Sequence, residues 1–257
     1  MKPNTLLLLW TAALLLMTVW AYAEPVCFVQ ISDLHLSDEA STEYLARAVE
    51  WINNPQTFGK QKPSFVVVTG DLSTSGLESE LALAKRELDK LKLPYYVLPG
   101  NHDLSDEHKG SFEKVFPGRM QYSIEVSGCR LLFHAGNTEP TVDGASAPID
   151  EWIRAEVAKI PADRPVIMFT HYPYGKGVPY SQAGRKRVLE VLKQRRLLAV
   201  LSGHFHGETT VVEDGVLFKT IPCLTSTRNN HDGTKTKGTV IYTADGDSIS
   251  AKFLAMP

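Results

Sequence analysis

The sequence predicts an α/β fold in which two mixed β-sheets pack as a sandwich flanked by helices. Three observations predict it. From Val26 to Leu98, short apolar runs alternate with amphipathic stretches, which is the order of parallel βαβ units. Beyond residue 103 the alternation continues more loosely, and from Glu208 onward only β-like segments remain. Two sheets facing each other, with helices outside, accommodate all three.

Val26 to Ser32 is short, apolar and β-branched, as a buried strand is. Thr42 to Asn53 carries Leu45, Ala48, Val49 and Ile52 at helical spacing, with Ser41 available as a cap. Ser64 to Thr69 is a second buried strand. Leu77 to Lys92 is a helix with Leu77, Leu81, Ala84, Leu88 and Leu91 on one face. Tyr95 to Leu98 is the third strand. A hairpin follows around Ser127-Gly128, joining Gln121–Val126 to Arg130–His134. Then come a helix over Ile149–Ile160, a strand over Val166–Thr170, a helix over Ala183–Arg195 and a strand over Leu198–Ser202. Strands at Thr209–Glu213, Val216–Thr220, Thr239–Ala244 and Ser248–Leu254 end the chain, with tight turns at Asp214-Gly215 and Asp245-Gly246.

At 257 residues the chain has room for one large domain or two small ones. No repeat, low-complexity segment or linker interrupts residues 24–257, which read as a single domain. A hydrophobic fraction of 43% supports a real core, and a net charge of -2 supplies no basic field for nucleic acid. Before residue 24 the pattern changes. Lys2, an apolar run from Leu6 to Trp20 and the small-x-small Ala21-Tyr22-Ala23 have the layout of a secretory signal peptide, residues 1–23. Export to the periplasm or outside the cell is the expectation. Counted through Ala23, the apolar stretch reaches 18 residues, so an uncleaved anchor, and with it membrane association, is the alternative. Cys27, Cys129 and Cys223 would permit one disulfide with a thiol over, or would remain buried free thiols.

Five segments carry the chemistry: Asp33-Leu34-His35, Gly70-Asp71, Gly100-Asn101-His102-Asp103, His171, and Gly203-His204-Phe205-His206. Each ends an apolar run, where a strand passes into a loop. In extended chain, residues i and i+2 point the same way, which would aim Asp33 with His35, and His204 with His206, at one spot. The carboxyl ends of strands in an open α/β fold line a common crevice. Singly, each segment has a bland reading as a turn, a cap or a core histidine. Jointly they describe a two-metal site. Mixed imidazole and carboxylate donors suit Zn, Mn or Fe better than Ca or Mg.

In that order the segments resemble the calcineurin-like metallophosphoesterases, whose pattern runs D-x-H, G-D, G-N-H-[D/E], H, G-H-x-H. The match spans Asp33 to His206, about two thirds of the chain, with no element missing. The flanking Ile31-Ser32-Asp33-Leu34-His35-Leu36 and Pro99-Gly100-Asn101-His102-Asp103 look most like the small bacterial phosphodiesterases, among them the cyclic-nucleotide enzymes. The resemblance implies one metal on Asp33, His35, Asp71 and His206, and a second on Asp71, Asn101, His171 and His204. The ions would be two divalent or trivalent transition metals, Mn, Fe or Zn. Together they would acidify a shared water and hold a phosphoryl oxygen for in-line attack. His102 is left unligated and becomes the general acid, with Asp103 behind it as a catalytic partner.

Departures narrow the subgroup. Protein Ser/Thr phosphatases continue G-D-x-x-D-R-G, whereas this chain reads Gly70-Asp71-Leu72-Ser73-Thr74-Ser75-Gly76. Purple acid phosphatases place Tyr where Thr74 stands. The expected partner is thus a small phosphate ester, with diesters favoured. Asn101 and Tyr172 would contact it, the latter in a Tyr172–Gln182 rim of the cleft. Arg228 and His231, in the basic Pro222–Lys237 loop with Lys235 and Lys237, would meet a second anion or form only a solvated surface. A membrane-anchored enzyme acting on lipid head groups and a non-catalytic binding module of the same fold are the competing readings.

Overall fold

Apolar side chains on both faces of the central strands force each sheet to be covered twice, once by the other sheet and once by helices. A computed structural model describes residues 24–108, 110–135, 147–174, 178 and 185–257. The strands are β1 (Val26–Ile31), β2 (Phe65–Thr69), β3 (Tyr95–Leu98), β4 (Gln121–Val126), β5 (Cys129–His134), β6 (Pro165–Thr170), β7 (Arg196–Ser202), β8 (Thr209–Glu213), β9 (Val216–Thr220), β10 (Gly238–Asp245) and β11 (Ser248–Ala255). The helices are α1 (Thr42–Asn53), α2 (Glu78–Leu88), α3 (Ser111–Val115), α4 (Ala147–Lys159) and α5 (Arg185–Leu192), with a 3-10 turn at Asp106–His108.

The first sheet has the order β11-β10-β1-β2-β3 and the second β4-β5-β6-β7-β9-β8. Both are mixed. β1, β2 and β3 run parallel, as do β5, β6, β7 and β9; antiparallel pairing adds β10 and β11 to the first sheet and β4 and β8 to the second. Alternation along β1 sorts the core: Val29 and Ile31 face α1, α2 and α3 with Leu45, Leu81 and Phe112. Val26 and Phe28 face the second sheet, and on that face Phe28 stacks on its first-sheet neighbours Phe65 at 5.2 Å and Tyr242 at 4.9 Å. On the far side of that sheet, Val166, Met168 and Phe218 pack against Ile153, Val157 and Leu192 of α4 and α5. The sandwich flanked by helices is the architecture the sequence predicted.

Local expectations fail in instructive places. Ser41 does not cap α1: its hydroxyl accepts from the amides of Ser37 and Asp38 and donates to the Asp38 carbonyl, closing the preceding turn instead. α2 stops at Leu88 rather than Lys92, because Asp89 takes the Tyr95 hydroxyl at 2.6 Å and Asn53 binds the backbone of Lys90 and Lys92. These bonds turn the chain into β3. The last hairpin pairs Asp245 with Ser248, so its turn is Gly246-Asp247 and not Asp245-Gly246. Neither α3 nor the 3-10 turn has enough periodic residues to announce itself. The three cysteines are free thiols.

β1, β2, β3, β6 and β7 all end at one edge of the sandwich, where the five segments lie. At the opposite end, where the chain enters β1, Glu24 and Val26 line a cavity of about 510 Å³ with Ser127, Arg164 and Arg196. That cavity contains none of the five segments. No helix among the described residues is long and apolar enough to cross a membrane. The leader expected at 1–23 lies outside the described residues.

Candidate metal centre

Both sheets feed the cluster. The loops after β1, β2 and β3 bring Asp33, His35, Asp71, Asn101 and His102, and those after β6 and β7 bring His171, His204 and His206. The paired residues do not reach the site from extended chain, as the sequence suggested. Asp33, His35, Asp71, His204 and His206 have φ between 47° and 63°, the left-handed region. Non-glycine residues pay roughly 1–2 kcal/mol each for this conformation. Cross-loop bonds hold it: the Asp33 amide donates to the Gly70 carbonyl at 3.0 Å and the His35 amide to the Asp71 carbonyl at 2.9 Å. Strain concentrated on five site residues, and otherwise only on Ser127 and Asp214 of hairpin turns among the described non-glycine residues, marks a functional centre.

The glycines that precede the polar residues serve close approach. A Cβ on Gly100 would overlap the Asp71 carboxylate, and one on Gly203 would overlap the Ser32 hydroxyl and come within 2.8 Å of the Asp33 carboxylate. Any side chain there would push apart the loops that bring the donors together.

Asp33, His35, Asp71 and His206 each offer a donor atom within 4.8 Å of the others, and Asp71, His171 and His204 form a second such group. Asp71 belongs to both: its Oδ2 is 3.6 Å from His35 Nε2 and 3.3 Å from His171 Nε2. His206 Nε2 lies 3.3 Å from Asp33 Oδ1 and 3.1 Å from His35 Nε2. In the second group Asn101 Oδ1 is 3.0 Å from both His171 Nε2 and His204 Nδ1. His171 Nδ1 donates to the Thr69 carbonyl at 2.8 Å, which fixes the tautomer and leaves Nε2 directed into the cluster. Asp33, His35, Asp71, His171 and His206 are buried, whereas Asn101 and His204 are half-buried at the mouth.

Two buried carboxylates require cationic partners in the same pocket. Burial would raise Asp33, but His206 outweighs it and holds the carboxyl low; His171 does the same for Asp71. Burial would lower His206 and His171, yet Asp33 and Asp71 raise them to about 10 and about 9. Burial depresses His35 to about 3 and His204 to about 4. Imidazole nitrogens pressed against each other, beside shared carboxylates, are a donor set that suits metal cations.

His102 is half-buried, its ring 4.8 Å from that of His35. Its Nδ1 donates to the Thr74 carbonyl at 2.6 Å, so the other ring nitrogen is left for the cleft. The expectation that Asp103 backs His102 is wrong. Asp103 is fully buried and accepts from the amides of Leu72, Ser73 and Gly100 and from the Ser73 hydroxyl, at 2.7–3.0 Å. Burial and the Asp71 charge push its carboxyl up to about 6 against those donors. It pins the β2 loop to the β3 loop, a role that demands a carboxylate facing four donors rather than an imidazole.

Tyr172 is buried, its ring 4.3 Å from that of His204, so it forms a wall behind that residue. Of the expected Tyr172–Gln182 rim, residues 175–177 and 179–182 lie outside the described residues. His231 stacks on His206 at 4.8 Å and its amide donates to the His206 carbonyl at 2.9 Å. Arg228 sits half-buried in the same loop. Lys237 is neither an anion site nor a solvated surface residue: its ammonium donates to the Arg228 carbonyl, Asn230 Oδ1 and Cys223 Sγ, at 2.8–2.9 Å. Lys237 thereby clasps the loop that carries Arg228 and His231, a contact no spacing rule announces, while Lys235 stays exposed.

The fold and this donor set define a metal-binding α/β sandwich of the hydrolase kind. The family model of the calcineurin-like phosphoesterases matches residues 28–208. The chain belongs to that family and is a metal-dependent phosphoric ester hydrolase. It is 29% identical over 212 residues to the "Probable glycerophosphodiester phosphodiesterase GpdQ" of Arcobacter nitrofigilis, covering 75% of this chain and 76% of that protein. A "Probable cyclic nucleotide phosphodiesterase" of Rhodopseudomonas palustris is 29% identical over 217 residues, covering 74% and 75%. Among solved structures, GAP50 of Plasmodium superposes with a TM-score of 0.64 over 90% of this chain and 84% of its own. At 14% identity that likeness speaks for the fold alone.

Proposed function

We propose that this enzyme is an exported two-metal phosphodiesterase acting on small phosphate diesters. One observation carries the reading: two adjoining donor groups, drawn from both sheets, share the carboxylate of Asp71. Asp33, His35, Asp71 and His206 would hold one transition-metal ion, and Asp71, Asn101, His171 and His204 the other. Bound there, Mn, Fe or Zn would supply Lewis acidity and an acidified water.

The chain's own residues supply the rest. His102, its Nδ1 proton held by the Thr74 carbonyl, would act as the imidazolium, giving the leaving alcohol the proton on Nε2 and returning to the neutral Nδ1–H tautomer. Tyr172 supports His204 from behind. Arg228 and His231 stand at the mouth, where they meet the remaining anionic oxygen of the ester. The diester preference is supported by relatives named for glycerophosphodiester and cyclic-nucleotide hydrolysis. The pattern at residues 2–23 supports export.

The test is a panel run after reconstitution with Mn, Zn or Fe. It compares p-nitrophenyl phosphate, bis-p-nitrophenyl phosphate, cyclic nucleotides and glycerophosphodiesters. Diesters should be the better substrates. Faster turnover of the monoester under every metal would overturn the diester assignment.

A further inference from the structure

Gln30 of β1 is fully buried in the mainly apolar layer between the sheets, beneath the metal centre. Strand alternation puts it on the same face as Val26 and Phe28, pointing at the second sheet. Its amide nitrogen donates to the Thr69 hydroxyl at 2.9 Å and to the Ser202 carbonyl at 3.2 Å. Its Oε1 accepts from the Tyr242 hydroxyl at 2.7 Å. Each partner leads elsewhere. Thr69 stands two residues before Asp71, and its carbonyl also receives His171 Nδ1 and the Ser32 hydroxyl. Ser202 stands two residues before His204, on the other sheet.

We propose that Gln30 is a positioning residue that sets the spacing between the two halves of the metal centre. The inference rests on the two-metal reading above. Both donor groups take residues from both sheets, so a small slide of one sheet over the other would displace His171, His204 and His206 against Asp33, Asp71 and Asn101. Apolar contacts tolerate such a slide, because burial has no preferred direction. The Gln30 amide does not, because its donors pair only when Thr69 and Ser202 stand opposite it, and an unpaired buried amide is expensive. An apolar residue of similar volume would fill the space equally well, so the polar choice supplies alignment.

The experiment uses the full chain loaded with Mn(II), with calorimetry for the two binding steps and electron paramagnetic resonance for coupling between the ions. Gln30→Met keeps the volume and removes all three bonds. Because both donor groups straddle the sheets, it should weaken both binding steps, by about 10–100-fold, the usual range for removing a partner that orients metal ligands. The spin coupling should change as well. Tyr242→Phe removes only the Oε1 contact, should give a smaller shift in the same direction, and serves if Gln30→Met does not fold. Unchanged affinity in both steps and unchanged coupling in the variants, with wild type binding two ions, would show that Gln30 merely packs. Wild-type uptake of one ion or none would overturn the two-metal reading itself, and this inference with it.

Discussion

His35 and His206 face each other Nε2 to Nε2 at 3.1 Å, one carried by the loop after β1 and the other by the loop after β7. An ion taken up by the pair therefore joins the two sheets as well as completing a coordination shell.

Asp71→Asn should lose both metals, since Asp71 is common to the two donor groups. Metal content after dialysis and turnover on the same samples check this. Two ions retained with full activity would mean that another residue bridges.

His204→Ala and His206→Ala should differ. The first should deplete the ion near Asn101 and His171, the second the ion near Asp33 and His35. Anomalous diffraction from crystals of each variant distinguishes the two sites, and identical losses would refute the division.

His102→Ala should keep both metals and lose activity according to the leaving group. Alkyl esters should fall by about 10²–10⁴-fold, the usual contribution of general-acid catalysis, while p-nitrophenyl esters fall little. Measuring kcat/KM across a leaving-group series decides it. A uniform drop tracking metal loss would take the proton-transfer role away from His102.

Asp103→Ala should act on stability before chemistry. It strands the amides of Leu72, Ser73 and Gly100, each of which costs about 1–3 kcal/mol when left unpaired. Denaturant titration should show several kcal/mol of loss. Wild-type stability combined with an altered leaving-group dependence would restore Asp103 as the partner of His102.

Chelation should lower the melting temperature of the wild type. An ion at a hundred times its Kd contributes about 2.7 kcal/mol, and each kcal/mol moves Tm by about 2–4 °C in a chain of this size. Calorimetric scans with and without chelator should therefore differ by about 5–10 °C per site. Coincident melting curves would show that metal does not tie the sheets together.

The donors were legible in the sequence because each of them ends an apolar run, as Asp71 ends Phe65–Thr69 and His204 ends Arg196–Ser202. Their backbone was not. Nothing in Asp33-Leu34-His35 says that Asp33 and His35 adopt positive φ, because that conformation is imposed by amide bonds to Gly70 and Asp71, far away in the chain. The partners of Asp103 and Lys237 are hidden for the same reason. A charged residue beside a motif invites a chemical role, and only the fold reveals that its partners are backbone amides or carbonyls. The close-approach glycines did leave a signal, standing immediately before Asp71, Asn101 and His204.

The direction of β1 bears on where such an enzyme could work. Residues 26–31 run from the cavity end of the sandwich to the cluster, roughly 20 Å at about 3.3 Å per strand residue. Whatever precedes Glu24 thus joins the molecule at the pole opposite the cleft. Any attachment made at residue 24 would therefore leave the cleft at the far end of β1, with the length of the strand between the two.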